Sequence, residues 1–315
     1  MQVFSDLFTA RLTDPTVLTI GTFDGIHRGH QDLIAQLKAT ASIKQAQSAI
    51  IAFHPRPKTI FAPHLFSNDY LTTPSEKIAL IASLGIDVLI LIPFSRELSQ
   101  ITASDFVKLI VENLSVVELC VGYDFALGKN REGNVEKLRA LGQQFGYGVT
   151  TVEPFLLDGQ VVSSTQVREQ LLSGDVRRAA YLLGRYPSLT SEIAQGAQRG
   201  RSIGFPTANF SVPPERLLPA NGVYATFIQH PGRSHRYPSV TNVGVRPSFG
   251  ENERTVEAHI FDFNENIYGQ TLTLEFVERL RPEQKFDGIA ALVAQISKDS
   301  DQARSLLAKE ILSAV

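Results

Sequence analysis

The two halves of the chain carry different patterns of apolar residues, and this contrast limits the folds open to it. In the first half, short apolar runs alternate with amphipathic segments. Thr16–Gly21 and Ser48–Phe53 flank a helical pattern from about Gly29 to Ala41, and Thr73 with Glu76 predicts a capping box at the start of another helix. Other predicted elements are strands at Ile86–Ile92, Val116–Val121 and Gly148–Val152 and a helix at Gly133–Phe145. Strands that alternate with helices form parallel sheets through right-handed crossovers. We therefore predict an α/β domain that binds ligands at the carboxyl ends of its strands, near a topological switch point.

After Tyr186 the strand-like runs follow one another without helices between them. Turn-rich segments separate these runs, which is typical of an antiparallel barrel or sandwich. From about Asp287 the pattern predicts two helices. We place the domain boundary near Tyr186, which divides the chain into residues 1–186 and 187–315. The strand-like runs are Leu189–Ala194, Val223–Gln229, Tyr237–Val243, Val256–Phe261 and Thr271–Glu275.

Composition supports two soluble domains. The chain has 315 residues, with 30 basic and 32 acidic side chains, and it lacks the basic footprint of a nucleic-acid binder. Its start lacks the positive segment of a signal peptide. The most apolar stretch, residues 78–94, is shorter than the ~20 residues that span a bilayer. We predict a cytoplasmic protein with no nucleic-acid or membrane partner, either a monomer or a weak homo-oligomer. The single cysteine, Cys120, is predicted to be buried and inert.

A segment between the first strand and the first helix predicts phosphate binding. It reads GTFDGIHRGH and runs from Gly21 to His30. Gly21 and Gly25 permit close approach of the backbone to a ligand, and the helix N-terminus attracts anions. His27 and His30 are one helical turn apart, so both can donate hydrogen bonds to phosphates during phosphoryl or nucleotidyl transfer. A structural turn with incidental histidines and a His-x-x-His metal site are the alternatives.

Two further segments have chemistry of the same kind. Ser164 and Thr165 can cap the following helix and contact phosphate, and Arg168 can pair with phosphate oxygens. A plain helix cap with a solvated arginine is the alternative. In the second half, glycines recur every four residues at 196, 200 and 204. Thr207 and Asn209 point to one side of an extended segment and can offer two oxygens to Mg²⁺, or they can be turn formers in a barrel hairpin.

Taken together, these motifs resemble those of the bifunctional bacterial riboflavin kinase/FMN adenylyltransferase family. The first half contains GTFDGIHRGH, VGYDFALG and SSTQVR, and the second contains GFPTAN, NVGVRPSF and VEAHIFDF. Two positions depart from the family pattern. Arg56 stands in FHPRP where the family has a second histidine, and Leu127 replaces an aromatic residue.

The resemblance implies a Rossmann-like nucleotidylyltransferase domain of the α/β class, followed by an antiparallel β-barrel riboflavin kinase domain with terminal helices. It implies that ATP phosphorylates riboflavin to FMN and that a second ATP adenylylates FMN to FAD, with magnesium. The implied catalytic residues are His27, His30, Arg168 and Glu257. The implied ATP-binding residues are Gly21, Phe23, Asp24, Gly25, Ser164, Thr165, Gly200, Gly204, Thr207 and Asn209. The implied flavin-binding residues are Asp124, Phe125, Asn242 and Arg246, and the implied metal ligands are Thr207 and Asn209.

Two rival functions remain open from the sequence. The departures at Arg56 and Leu127 are compatible with a riboflavin kinase whose adenylyltransferase domain is degenerate. A flavin or nucleotide sensor without catalysis is the second rival, but a binder has no need of a base at Glu257. The sequence leaves two roles open for Arg56: its side chain contacts phosphate, or it faces solvent.

Overall fold

The computed structural model describes residues 1–62, 69–195, 200, 203–230, 235–247 and 252–313. The chain divides into two compact units, Met1–Ser164 and Thr165–Val315. The boundary predicted at residues 186 and 187 concerns the two catalytic domains, and it stays a prediction.

The first unit is built on a parallel sheet of six strands. They are β1 (Gln2–Phe4), β2 (Thr16–Gly21), β3 (Gln47–Phe53), β4 (Val88–Ile92), β5 (Val116–Gly122) and β8 (Gly148–Val152). Their spatial order is β1-β4-β3-β2-β5-β8, and all neighbours are parallel. The chain moves outward from β2 in both directions, so the switch point lies between β2 and β5. The predicted phosphate segment directly follows β2 at this point.

Helices cover both faces of this sheet. They are α1 (Arg28–Ile43), α2 (Pro57–Phe61), α3 (Pro74–Ser83), α4 (Ala103–Leu114) and α5 (Val135–Phe145). Neighbouring strand residues alternate between the two apolar cores, because successive side chains point to opposite faces. Leu18 packs with Phe106 of α4 in one core, whereas Val17 packs with Ile34 of α1 in the other. Cys120 lies in the second core, and burial raises the pKa of its thiol to about 11, which confirms a buried thiol.

Local signals set the helix ends. Thr73 caps α3, and its hydroxyl and the Glu76 carboxylate form the predicted capping box. Helix α5 begins at Val135 rather than at Gly133, because residues 133 and 134 pair with another short strand. The sequence patterns did not indicate the short strands, which are β6 (Ala126–Leu127), β7 (Gly133–Asn134), β9 (Leu156–Leu157) and β10 (Gln160–Val161).

In the described part of the second unit, two helices precede a closed antiparallel barrel in sequence and a long helix follows it. Helix α6 (Ser164–Ser173) starts at the last residue of the first unit, and α7 (Val176–Leu183) follows it. The barrel strands are β11 (Ser188–Ala194), β12 (Ala208–Phe210), β13 (Gly222–Gln229), β14 (Arg236–Pro247), β15 (Asn252–Ile260) and β16 (Thr271–Arg281). They close in the order β11-β12-β15-β14-β13-β16, which confirms the predicted barrel.

One long helix, α8 (Ile289–Ser313), stands where two helices were predicted. Polar side chains in the middle of this helix have partners within the unit. Asp299 accepts hydrogen bonds from Arg281 of β16, at 2.7 Å between Nη2 and Oδ2. Ser300 donates to the carbonyl of Ile296 at 2.8 Å. Ala303 and Leu307 of α8 pack on the outer face of the barrel.

Among the described residues, no helix combines the length and apolar character needed to cross a bilayer.

Candidate active sites

The loop between β2 and α1 has an unusual backbone. Phe23 and Ile26 have positive φ angles of 46° and 43°, and Gly25 has 82°. Bulky residues rarely adopt this conformation, and strain of this kind occurs where the surroundings hold the backbone firmly. Here Phe23 and Ile26 are both 1% exposed, so core packing holds the loop. The result is a rigid turn at the carboxyl end of β2.

Asp24 holds this loop in place through hydrogen bonds to a neighbouring segment. Its carboxylate accepts hydrogen bonds from the backbone N–H groups of Leu71 and Thr72, at 3.0 and 3.2 Å. The backbone N–H of Gly25 in turn donates to the Thr72 hydroxyl at 3.2 Å, and the Ser164 hydroxyl donates to the carbonyl of Asp24 at 2.8 Å. Asp24, predicted to bind ATP, is 2% exposed and shapes the loop through these bonds. Ser164 therefore contacts this loop, and its predicted contact with phosphate stays a prediction.

Gly25 offers a direct test of this rigid turn. A Cβ there would lie 2.7 Å from Cδ1 of Leu71, at a φ of 82°. We expect Gly25→Ala to cost about 1–2 kcal/mol from the backbone, plus the clash, and to lower any reaction at this loop by about 10²-fold through misplacement. Gly159→Ala is the matched control, because it shares a positive φ but meets nothing within 4 Å. Thermal unfolding and FMN adenylylation rates measure both effects, and equal rates in the two variants would contradict the assignment.

The two histidines are held together at the start of α1. The Nδ1 atom of His27 caps the helix by accepting from the backbone N–H of His30 at 3.3 Å. The rings stack with centroids 3.7 Å apart. The pKa of His30 lies well below its usual value, chiefly because burial disfavours the charged form, with nearby His27 and Lys77 adding to the effect. His30 is therefore neutral at physiological pH, with ring nitrogens suited to hydrogen bonding.

Arg56 is buried, which decides one of the questions left by the sequence. It is 5% exposed, and its Nη1 atom pairs with Oδ2 of Asp24 at 3.1 Å. Its Nη2 atom pairs with Asp69, and its guanidinium lies 4.4 Å from the ring centroid of Tyr70. Arg56 does not face solvent. It links the loop after β3 to the loop after β2.

Lys77 on α3 belongs to this region, although sequence reasoning missed it. Its side chain is almost completely buried, and its ammonium donates to the carbonyl of Thr22 at 2.7 Å. The signal in the sequence was weak, because a lysine in the first turns of a helix is normally a solvated residue.

A cavity of about 560 Å³ opens beside the carboxyl ends of these strands. Aromatic rings dominate one part of it, with Phe53 and Phe94 in edge contact at 5.5 Å between centroids. Phe125, predicted to bind flavin, lines this cavity, and so does Leu127. Asp124 is exposed. The other aromatic lining residues, which sequence reasoning missed, are Phe53, Phe61, Phe94 and Phe106.

Thr165 and Arg168 lie on α6 in the second unit. Arg168 follows Ser164 by four residues, so both lie on one side of that helix.

In the barrel, strand register brings the predicted kinase residues into one row. Glu257 of β15 stands opposite Asn209 of β12 and opposite Asn242 of β14. Directly opposed residues share one face of a sheet, so the acid lies between two amides on the outer face of the barrel. No residue of this row is adjacent to another in sequence.

Two cavities lie on this part of the barrel, and two residues of the row line the first of them. The first is about 370 Å³ and lies between the barrel and α8, and its lining includes Glu257, Asn242 and apolar residues such as Val223 and Phe286. The second is about 400 Å³ and is lined by the segment from Phe263 to Tyr268. Thr207 lines both cavities. Its side chain therefore lies at the border between the two cavities.

Glycines shape the edge of the first cavity. Gly200 lines it, and its carbonyl accepts from the backbone N–H of Phe205 at 2.8 Å. A Cβ at Gly200 would lie 2.2 Å from the Phe205 carbonyl oxygen, and Gly204 has a φ of 89°. The predicted loop residues 196–199, 201 and 202 lie outside the described residues. Arg246 is on β14, but its side chain is also outside the described part of the chain.

Two polar residues of this cavity were not predicted as site residues. His259, two residues after Glu257, is linked to the Pro206 carbonyl, with 2.8 Å between Nδ1 and the oxygen. Glu283 accepts from the side-chain amide of Asn221 at 3.0 Å. The period-2 pattern of β15 could have identified His259, because it shares a face with Glu257.

Within the described residues, no cluster of three or more His, Cys, Asp or Glu side chains could hold a metal ion. The His27–His30 pair thus gains no third ligand of these types in that part of the chain.

Comparisons with known proteins match each part of the chain to a family of enzymes. The FAD synthetase family model matches residues 10–166, and the riboflavin kinase family model matches residues 183–307. Curated relatives match nearly the whole chain. The bifunctional riboflavin kinase/FMN adenylyltransferase of Escherichia coli strain K12 is 35% identical over 290 residues, covering 91% of both chains. This chain belongs to the bifunctional riboflavin kinase/FMN adenylyltransferase family. The relative of the same description from Pseudomonas fluorescens is 36% identical and covers 93% of both chains.

The solved structures give the same architecture. A crystal structure described as a macrolide-efflux protein from Streptococcus pneumoniae has a TM-score of 0.87 and 28% identity, and the match covers 96% of this chain and 98% of that one. We use this match only for the fold, and the efflux function named for that protein is not transferred to this chain. Both enzymatic domains of the family are present in this chain. This finding favours the bifunctional enzyme over a riboflavin kinase with a degenerate adenylyltransferase domain.

Proposed function

We propose that residues 187–315 phosphorylate riboflavin with ATP and that residues 1–186 transfer an adenylyl group from ATP to the resulting FMN. The observation that carries this proposal is that each unit has a cavity of its own and residues suited to phosphate binding of its own. In the first unit, an aromatic cavity adjoins the strand ends that precede His27 and His30. In the second, Thr207 and Glu257 border the cavity under α8.

In the kinase reaction, the ribityl 5′-hydroxyl oxygen of riboflavin attacks the γ-phosphorus of ATP, and ADP leaves. Glu257 takes the hydroxyl proton, a role that typically contributes about 10²–10⁴-fold. Asn209 and Asn242 flank this carboxylate in the register and orient it. The apolar lining of the cavity accepts the isoalloxazine ring, with Arg246 as a further flavin contact. Gly200 and Gly204 allow the loop before Thr207 to approach the ATP phosphates.

In the adenylyl transfer, a phosphate oxygen of FMN attacks the α-phosphorus of ATP, and pyrophosphate leaves. The FMN phosphate is already ionised, so the reaction needs no protein nucleophile. Catalysis is then positioning and charge stabilisation. His27 and His30 donate hydrogen bonds to the phosphates, and Arg168 pairs with phosphate oxygens. Gly21 and Phe23 provide the backbone surface of the ATP site, Ser164 and Thr165 contact phosphate, and Asp124 and Phe125 contact the flavin.

The residues at the end of the kinase loop fit a magnesium ion. Thr207 and Asn209 provide a hydroxyl and an amide oxygen, and Glu257 stands opposite Asn209. Hard oxygen donors of this kind suit Mg²⁺, which usually keeps several waters and binds substrate phosphates. Thr207 and Asn209 would hold the ion, which would neutralise charge on the ATP phosphates. Magnesium thus remains a proposal for both reactions.

We also propose the other properties that the sequence predicts. They are a cytoplasmic location and an oligomeric state that is either a monomer or a weak homo-oligomer. The substrates are small molecules, with no nucleic-acid or membrane partner, and the two catalytic domains divide near residue 186. The near balance of 30 basic and 32 acidic residues supports the lack of a nucleic-acid partner.

One incubation tests the proposed function. The purified chain is mixed with riboflavin, ATP and Mg²⁺, and the flavins are separated by chromatography over time. We expect FMN to appear first and FAD to follow, with pyrophosphate formed in step with FAD. FMN that accumulates without FAD would show a kinase alone, and unchanged riboflavin would show a sensor.

A further inference from the structure

The ammonium of Lys77 connects two loops of the first unit. It donates to the carbonyl of Thr22 at 2.7 Å and to the carbonyl of Phe53 at 3.3 Å. Thr22 is the first residue after β2, and Phe53 is the last residue of β3. Backbone carbonyls that are removed from water require hydrogen-bond donors. Lys77 supplies both partners from a neighbouring helix.

Each of these carbonyls precedes a functional segment. Thr22 leads into the strained turn that carries His27 and His30, and Phe53 leads into the segment with Arg56. The cross-link therefore fixes the distance between the two loops at the carboxyl end of the sheet. A lysine can do this with one nitrogen, because its ammonium has three donors.

The charge of Lys77 is surrounded by other ionisable groups. Burial is the main cause that lowers the pKa of Lys77 to about 8, while Asp24 raises it and Arg56 lowers it. Lys77 also contributes to the low pKa of His30. On its own helix, the nearby Glu76 is engaged with the backbone N–H of Thr73 at 2.9 Å. The ammonium is thus a buried positive charge next to the histidine that faces phosphate.

We propose that Lys77 is the positioning residue of the adenylyl-transfer site, which holds the loops after β2 and β3 together and places a positive charge behind His30. This inference rests on the proposed adenylyl transfer. It assigns Lys77 no contact with the reacting atoms. Its effect reaches the reaction through the His27–His30 turn.

Three variants test the proposal in the full-length chain. Lys77→Met removes the donors and the charge, whereas Lys77→Arg keeps both. Lys38→Met is the matched control, because Lys38 also donates to a backbone carbonyl, that of Leu84 at 2.7 Å, away from the histidine turn. We expect Lys77→Met to lower the kcat of FMN adenylylation by about 10²-fold, since misplacement of about 1 Å has an effect of that size. The KM for FMN should change little, and Lys77→Arg should recover part of the rate.

The pH profile separates positioning by a charged group from a role in stability alone. Lys77 loses its proton as the pH rises through about 8, so wild-type adenylylation should fall above that pH. Lys77→Arg should lack this fall, because a guanidinium stays charged. Riboflavin phosphorylation by the same samples serves as the internal control for effects of pH on ATP and Mg²⁺.

The outcomes distinguish failure of this inference from failure of the proposed function. A wild-type chain without FMN adenylylation would overturn the proposed function. An active wild type would overturn the Lys77 assignment if its rate showed no fall near pH 8, or if folded Lys77→Met matched Lys38→Met. If thermal unfolding shows that Lys77→Met does not fold, the rate of Lys77→Arg at pH 9.5 decides. A fall in that rate as large as the fall in wild type would count against the proposal.

Discussion

His30→Ala is expected to stop FAD formation from FMN while riboflavin phosphorylation continues. His30 is neutral in the folded chain, because burial holds its pKa well below the usual value. The substitution therefore removes a hydrogen-bond donor rather than a charge. Loss of one donor to a developing negative charge lowers kcat by about 10²–10³-fold. The measurement is chromatography of flavins after supply of FMN and ATP, with riboflavin phosphorylation measured in parallel.

His30 is a cleaner target than His27 for this experiment. The side chain of His27 caps α1 by accepting from the backbone N–H of His30, and loss of a helix cap costs about 0.5–2 kcal/mol. A variant at His27 would combine a stability effect with a catalytic one. Loss of both activities in a folded His30→Ala chain would mean that the two reactions do not use separate sites.

Glu257→Gln should show the reverse result. It keeps the shape of the side chain but cannot accept the proton of the ribityl hydroxyl. We expect the kcat of riboflavin phosphorylation to fall by about 10²–10⁴-fold, as for removal of a general base. The KM for riboflavin should change little, since the amide keeps the packing of the cavity. FMN supplied from outside should still be converted to FAD.

An exposed acid on the same barrel provides the control. Glu192 on β11 is exposed, so Glu192→Gln removes a carboxylate from the barrel without touching the row of Asn209, Glu257 and Asn242. It should phosphorylate riboflavin at the wild-type rate. Mixing His30→Ala with Glu257→Gln should restore conversion of riboflavin to FAD, because each chain supplies the step that the other lacks. A Glu257→Gln chain with normal kinase activity would remove the general-base assignment.

Much of the architecture could be predicted because it depends on local patterns. The apolar runs gave five of the six strands of the parallel sheet, and Thr73 with Glu76 gave a helix start that the structure confirms. Strand β1 was missed, since three residues are too few to show a period. The break predicted within α8 was wrong because Asp299 pairs with Arg281, a contact between residues far apart in sequence.

The candidate sites were predictable to different degrees. Motifs of adjacent residues identified the histidine turn and the segment that ends at Asn209. The row that aligns Glu257 with two amides depends on strand register, and register is set by pairing across the whole barrel. The burial of Arg56 against Asp24 and Asp69 depends on loops from three parts of the chain.

The sequence by itself determined that this protein has an α/β half and a barrel half, each with residues suited to phosphate chemistry. Periodicity, helix caps and short motifs are properties of neighbouring residues, so they can be recognised without a structure. The tertiary structure decided which side chains are buried and what they contact. Lys77 shows the difference, since an ordinary helical lysine in the sequence becomes a buried ammonium between Thr22 and Phe53. Desolvation, and with it the chemistry of such a group, depends on packing by distant segments that no local pattern records.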